Sequence, residues 1–81
     1  MSFGIEDIER AVGEGIPESE VRVQGMGGKF LVRVVSDHFA GLNAVKRQQS
    51  VYRILNPHIA SGEIHAVSME LLTRSEAEGQ S

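Results

Sequence analysis

The sequence has 81 residues, of which 41% are hydrophobic and 23% are charged, and it contains no cysteine. A chain of this length can bury only one small core, which excludes multidomain proteins and most large-enzyme architectures. Without cysteine, disulfide frameworks, thiolate zinc sites and cysteine nucleophiles are excluded, and a formal net charge of −3 is too small to indicate a nucleic-acid partner.

The first half of the chain predicts a helix followed by a hairpin. Apolar residues recur at helical spacing in residues 5–16, which indicates an amphipathic helix over about 4–14. Apolar and polar residues then alternate in residues 21–24 and again in 30–35. The segment 25–28 between them contains three glycines, as a hairpin loop requires.

A second helix is predicted after residue 41, with Asn43 as its N-cap. Its apolar face is taken from a three-four-three spacing of Leu42, Val45, Gln49, Tyr52 and Leu55. Pro57 is expected to end this helix, with Asn56 as the N-cap of a short further helix over residues 57–61.

The last part of the chain predicts a strand and a final turn of helix. Residues 64–72 alternate strongly enough to form a third strand. The segment from Thr73 to Glu76 has the pattern of a capping box, which can start a helix. We therefore expect a domain over residues 1–76 and a flexible polar tail over 77–81.

This order of elements predicts a single α/β (α+β) domain with the sequence helix-strand-strand-helix-helix-strand-helix. The two hairpin strands must pair antiparallel, whereas a helical crossover favours a parallel third strand. The expected result is a mixed three-stranded sheet covered by helices.

Residues that could support catalysis or bind metal are few. Ser36, Asp37 and His38 are adjacent, and neighbours on a chain rarely align as nucleophile, base and orienting acid, so we expect no enzyme activity. The histidines lack the spacing of a helical zinc pair, and His58 is expected to lie on the surface. His65, at the start of the third strand, could reach an external metal or could be an ordinary hydrogen-bonded strand histidine.

Three cations, Lys46, Arg47 and Arg53, lie on the second helix and are predicted to be exposed. They could contact phosphates, although no aromatic residues interleave with them to stack on bases, and a solvated helix face is the alternative. The segment Gly25–Gly28 matches the GxxG loop of KH domains, but that loop joins helices and this one joins strands, which favours a turn.

Three ordered segments, Val34–Gly41, Lys46–Tyr52 and Ile64–Ser68, closely resemble the BolA-like family, and within it the YrbA (IbaG) branch. The resemblance extends over about residues 5–76. It implies a fold akin to the class II KH topology, in agreement with the order of elements.

The resemblance also implies a function, because BolA-like proteins are partners of monothiol glutaredoxins and share a [2Fe-2S] cluster with them. They are adaptors in iron-sulfur cluster trafficking or iron homeostasis. The family's principal ligand, the histidine of its Ile-His-Ala segment, maps onto His65. The glutaredoxin cysteine and its bound glutathione would supply the remaining ligands.

One position departs from the family pattern. A second ligand, Cys or His, often lies in or beside the loop between the first two strands, whereas Lys29 precedes Phe30 here and residues 25–28 contain neither. His65 is then the single expected ligand, with His38 as a secondary candidate.

BolA-like proteins are also described as transcription regulators, which makes DNA binding through Lys46, Arg47 and Arg53 the alternative function. Without its partner, the chain is expected to be a monomer or a weak homodimer. No apolar stretch has membrane-spanning length and the acidic N-terminus is unlike a signal peptide, so we expect a cytoplasmic protein without membrane contact.

Overall fold

The computed structural model describes residues 4–79. They form α1 (Ile5–Gly15), β1 (Glu20–Met26), β2 (Lys29–Val35), a 3-10 helix (Asp37–Phe39), α2 (Ala44–Ala60), β3 (Ala66–Leu72) and α3 (Arg74–Glu78). The strands lie in the order β1-β2-β3, with β1 antiparallel and β3 parallel to β2. The predicted mixed three-stranded sheet of an α+β domain is therefore confirmed. Within residues 4–79, no helix has the length and apolar composition that crossing a membrane requires.

Helices α1 and α2 pack on the same face of the sheet. The core is formed by side chains from both helices and from β1 and β2, among them Ile8, Val12, Val23, Phe30, Val32, Val34, Val51 and Leu55. Every second side chain of β2 from Phe30 to Val34 points into this core, as the two-residue period of a strand dictates. Each buried side chain of this size contributes about 1.5–3 kcal/mol of transfer free energy.

Helix α2 is continuous from Ala44 to Ala60, so the predicted break at Pro57 is wrong. Pro57 lacks the N–H that would donate to the carbonyl of Arg53. Because both residues are exposed and Pro57 lies in the last turn, water can bind that carbonyl and the helix loses only one hydrogen bond. Asn56 is thus an internal helical residue and not an N-cap.

The buried face of α2 also differs from the predicted one. Val51 and Leu55 are fully buried, whereas Val45 is 61% exposed and Tyr52 is 37% exposed. Consecutive helical residues are separated by about 100° around the axis, so either Val51 or Tyr52 could face the core. The tyrosine hydroxyl favours the solvent side, which a count of apolar residues does not register.

Two short features precede α2. Asn43 is confirmed as its N-cap, because Oδ1 accepts a hydrogen bond of 2.9 Å from the backbone N–H of Lys46. The sequence did not predict the 3-10 helix Asp37–Phe39, whose N-cap is Ser36: its Oγ accepts a bond of 3.1 Å from the N–H of His38. The short helix of the expected order therefore precedes α2 and does not follow it.

The capping box that starts α3 is confirmed. The N–H of Thr73 donates to Glu76 Oε1 at 2.8 Å, and the N–H of Glu76 donates back to Thr73 Oγ1 at 3.2 Å. Helix α3 includes Ala77 and Glu78, the first two residues of the segment expected to be a tail. Residues 80 and 81, the end of that tail, lie outside the described residues.

Candidate functional site

The backbone of His65 is held between the core and the hairpin. Ile64, one residue before it, is only 2% exposed and anchors the chain in the core. The N–H groups of His65 and Ala66 both donate to the carbonyl of Gly28, at 2.7 and 3.2 Å. The His65 side chain is exposed, and within residues 4–79 its ring has no hydrogen-bond partner. A fixed backbone therefore presents a free imidazole.

The turn that leads into His65 is set by the end of α2. The N–H groups of Glu63 and Ile64 donate to the carbonyl of His58, at 3.0 and 3.1 Å. The Glu63 carboxylate lies 3.0 Å from His58 Nδ1 and accepts from the Ser61 hydroxyl at 2.9 Å. These bonds, that of His58 first, lower the pKa of Glu63 below its usual value. They close the helix and fix where β3 begins.

The hairpin between β1 and β2 lies against the His65 ring. Its two loop residues, Gly27 and Gly28, have φ angles of +63° and +81°, which glycine adopts without strain. A Cβ on Gly28 would lie 2.9 Å from His65 Cδ2, whereas a Cβ on Gly27 would meet nothing within 4 Å. The lack of a side chain at Gly28 thus makes room for the imidazole.

The parallel register of β2 and β3 brings these two features together. Lys29 is the partner of Ala66, so the residues just before them, Gly28 and His65, are also neighbours. A depression of about 200 Å³ adjoins the ring, lined by apolar residues of α2 and β3 and by Tyr52. The sequence had not placed Tyr52 beside His65, because only the packing of α2 on β3 brings them together.

The structure separates His38 from His65. His38 follows the C-terminal end of β2, whereas His65 lies beside its N-terminal end. The seven residues of β2 span six steps of about 3.3 Å, or about 20 Å, so the two imidazoles cannot bind the same metal ion. Among the described residues, no group of three or more His, Cys, Asp or Glu side chains could hold a metal. Beside the hairpin, the ring of His65 has no hydrogen-bond partner among the described residues, whereas His58 Nδ1 lies 3.0 Å from the Glu63 carboxylate.

Arg47 occupies a structural position at the opposite end of the sheet. Its Nε donates to the carbonyl of Leu42 at 2.9 Å, and its Nη1 donates to the carbonyl of Leu71 at 3.1 Å. Both terminal nitrogens bind the Glu76 carboxylate, at 2.7 and 3.3 Å, and the guanidinium lies 5.9 Å from the centre of the Phe39 ring. The side chain is only 14% exposed, so the expectation of an exposed cation is wrong for Arg47.

These contacts join α2, β3 and α3. The bond from Arg47, followed by that from the backbone N–H of Thr73, lowers the pKa of Glu76 to about 2. A phosphate could recruit Arg47 only by breaking this set of bonds. Lys46 and Arg53 are exposed, and DNA binding through them stays a prediction.

Comparisons with known proteins agree with the fold and the segments described above. The family model described as BolA-like protein matches residues 12–76. An uncharacterized protein from the rpoN-murA intergenic region of Acinetobacter guillouiae is 44% identical over 88% of this chain and 86% of its own. The acid stress protein IbaG of Escherichia coli K12 is 39% identical over 86% and 83%. A solved bolA homologue from Coxiella burnetii superposes with a TM-score of 0.82 at 34% identity, covering 94% of this chain and 97% of that one.

Proposed function

Because this chain belongs to the BolA-like family, we propose that it is a non-enzymatic adaptor for a monothiol glutaredoxin. In this proposal His65 is its ligand to a [2Fe-2S] cluster shared by the two proteins, in cluster trafficking or iron homeostasis. The observation that carries the proposal is the exposed imidazole of His65 on a backbone fixed by Gly28.

The residues at this end of the sheet suit one half of a shared site. Imidazole replaces thiolate on one iron of Rieske-type [2Fe-2S] centres, so a histidine ligand is chemically suitable. The chain has no cysteine, and His58, whose carbonyl accepts from the N–H of Ile64, has its Nδ1 3.0 Å from the Glu63 carboxylate. A partner must then supply the other ligands, for which the glutaredoxin cysteine and its glutathione are suited.

The surroundings of His65 favour ligand exchange with a partner. The ring is exposed, so a second protein can reach it, and its backbone is tied to Gly28, so binding costs little ordering of the chain. The apolar depression beside it, which includes Ile59 and Val67, limits water around a bound group. Lys29, at the adjoining end of β2, provides a positive charge but no ligand.

A titration followed by visible circular dichroism tests the proposal. A monothiol glutaredoxin reconstituted with a [2Fe-2S] cluster is mixed with the wild-type chain, with His65→Ala, or with His38→Ala. The His38 variant is the matched control, because it removes an exposed imidazole about 20 Å away. We expect a new cluster spectrum with the wild type and with His38→Ala, and none with His65→Ala. A spectrum that is the same for all three proteins would remove His65 from the cluster.

A further inference from the structure

Within residues 4–79, the face of the sheet opposite α1 and α2 is uncovered over most of its length. We call it the open sheet face; its central residues are Arg22, Gln24, Leu31, Arg33, Ser68 and Glu70. One end is closed by Arg74, which donates to the carbonyl of Glu18 at 3.1 Å and lies 3.8 Å from the carboxylate of Glu20. The uncovered part therefore extends toward the hairpin and the His65 end.

The open sheet face has an excess of positive charge. Arg22 on β1 lies directly opposite Arg33 on β2, and like charges in this position repel. Arg33 is paired with Glu70 on β3, with Nε and Oε1 3.3 Å apart. Arg22 is exposed and has no such partner among the described residues, and Lys29 adds a further cation toward the hairpin. A carboxylate from outside would compensate Arg22.

An apolar side chain lies at the centre of this charged surface. Leu31 is 42% exposed, and depressions of about 460 and 200 Å³ lie on either side of it. Both depressions are lined by Leu31 and Gln24, so they form one continuous surface. Arginine beside an exposed apolar anchor is a composition typical of protein interfaces.

We propose that the open sheet face binds an acidic surface of a partner protein, with carboxylates at Arg22 and Arg33 and an apolar side chain over Leu31. Nucleic acid fits less well, because no described residue of the face presents an aromatic side chain on which a base could stack and Glu70 repels phosphate. The uncovered end adjoins Ala66, one residue from His65, whose ring borders the depression on the α2 side, so a partner bound here must extend around the end of the sheet to contact the imidazole. The inference rests on the proposed function insofar as this partner is the glutaredoxin.

A charge reversal with a matched control tests the surface. Arg22→Glu and Arg10→Glu change the net charge equally, and both residues are exposed, but Arg10 lies on α1, on the other side of the sheet. We expect Arg22→Glu to weaken binding of the cluster-loaded glutaredoxin by at least about tenfold in isothermal titration calorimetry, and Arg10→Glu by less than about threefold. Added salt should reduce the wild-type affinity toward that of Arg22→Glu. Equal affinity of wild type and Arg22→Glu would overturn the inference, even if His65→Ala still abolishes the cluster spectrum.

A second measurement does not depend on the glutaredoxin. Backbone and arginine Nε–H signals of the ¹⁵N-labelled chain are followed by NMR during titration with hexaglutamate and, separately, with a DNA duplex. We expect hexaglutamate to shift the signals of Arg22, Leu31 and Arg33. If it does so while no glutaredoxin binds, the proposed function fails and the acidic-partner surface stands. If only the DNA duplex shifts these signals, the inference is wrong. It is also wrong if neither hexaglutamate nor DNA shifts them and Arg22→Glu binds glutaredoxin with wild-type affinity.

Discussion

The contact between the hairpin and His65 allows a substitution that moves the imidazole without removing it. In Gly28→Ala the new Cβ would lie 2.9 Å from His65 Cδ2 and 3.0 Å from Cγ, so the ring must shift. Gly27→Ala is the matched control, because Gly27 also has a positive φ but its Cβ would meet nothing within 4 Å. The two variants therefore share backbone strain and differ in what happens to His65.

The two substitutions share the cost of a Cβ on left-handed backbone, and Gly28→Ala adds the cost of moving the ring. A Cβ on left-handed backbone costs about 1–2 kcal/mol, and this applies to both glycines. Because the His65 side chain is exposed, its ring can rotate away in Gly28→Ala, at an additional cost of about 0.5–1.5 kcal/mol if it leaves a favoured rotamer. For a domain of this size each kcal/mol lowers the melting temperature by about 4–8 °C.

Urea unfolding, the ¹H–¹³C signals of the His65 ring and the cluster titration together separate these effects. We expect both variants to lose stability, but only Gly28→Ala to shift the ring signals and to weaken the new cluster spectrum. The Gly27→Ala variant should give wild-type ring signals. If the two variants changed the His65 signals equally, the close contact with Gly28 would not be what positions the ring.

Three further predictions concern the other end of the sheet and α2. In urea titrations, Arg47→Met should lower the free energy of unfolding by about 2 kcal/mol, because three acceptors lose a charged donor. The control Arg53→Met, on the exposed side of α2, should change it by less than about 0.5 kcal/mol. The pKa of Glu76 is about 2 in the folded chain and about 4.3 in an unfolded one, so its stabilising effect is complete above pH 4.3 and is lost as pH falls toward 2. The difference in unfolding free energy between wild type and Glu76→Gln should therefore shrink in that range. A constant difference would contradict the pairing with Arg47. Asn43→Ala should cost about 1 kcal/mol by removing the N-cap, whereas Asn56→Ala should be neutral or slightly stabilising within α2; a loss at Asn56 would indicate a helix that starts at Pro57.

The sequence predicted the elements well where a local signal determines them. The glycine-rich hairpin, the N-cap Asn43 and the capping box from Thr73 to Glu76 each depend on residues close in the chain, and the structure confirms all three. The predicted helix break at Pro57 was wrong because the cost of its missing backbone N–H depends on where in the helix the proline lies. At an exposed C-terminal turn the missing N–H costs little free energy, because water can bind the unpaired carbonyl. In a buried helix interior the same proline would have ended the helix.

The candidate site was only partly predictable, because it depends on register. The resemblance indicated His65, and the sequence indicated a glycine loop, but only the pairing of Lys29 with Ala66 shows that loop and ring touch. Likewise, helical spacing predicted an exposed Arg47, and nothing local indicated that Leu71 and Glu76, far along the chain, would surround it. Long side chains can reach partners that a periodicity argument does not include.

The two ends of the sheet differ in how firmly their polar side chains are held. At one end Arg47 joins α2 to β3 and α3, and at the other the ring of His65 is left free beside Gly28. Arg47 contacts the carbonyl of Leu71, five residues along β3 from Ala66, which is about 16 Å at the rise of a strand. At this distance the unfolding free energies of Arg47→Met and Gly28→Ala should add to within about 0.5 kcal/mol. Only Gly28→Ala should move the His65 ring, because rigidity of the intervening sheet confines each change to its own end. A double variant whose cost departed from the sum by more than about 1 kcal/mol would show that the contacts of Arg47 and the Gly28–His65 contact are energetically coupled.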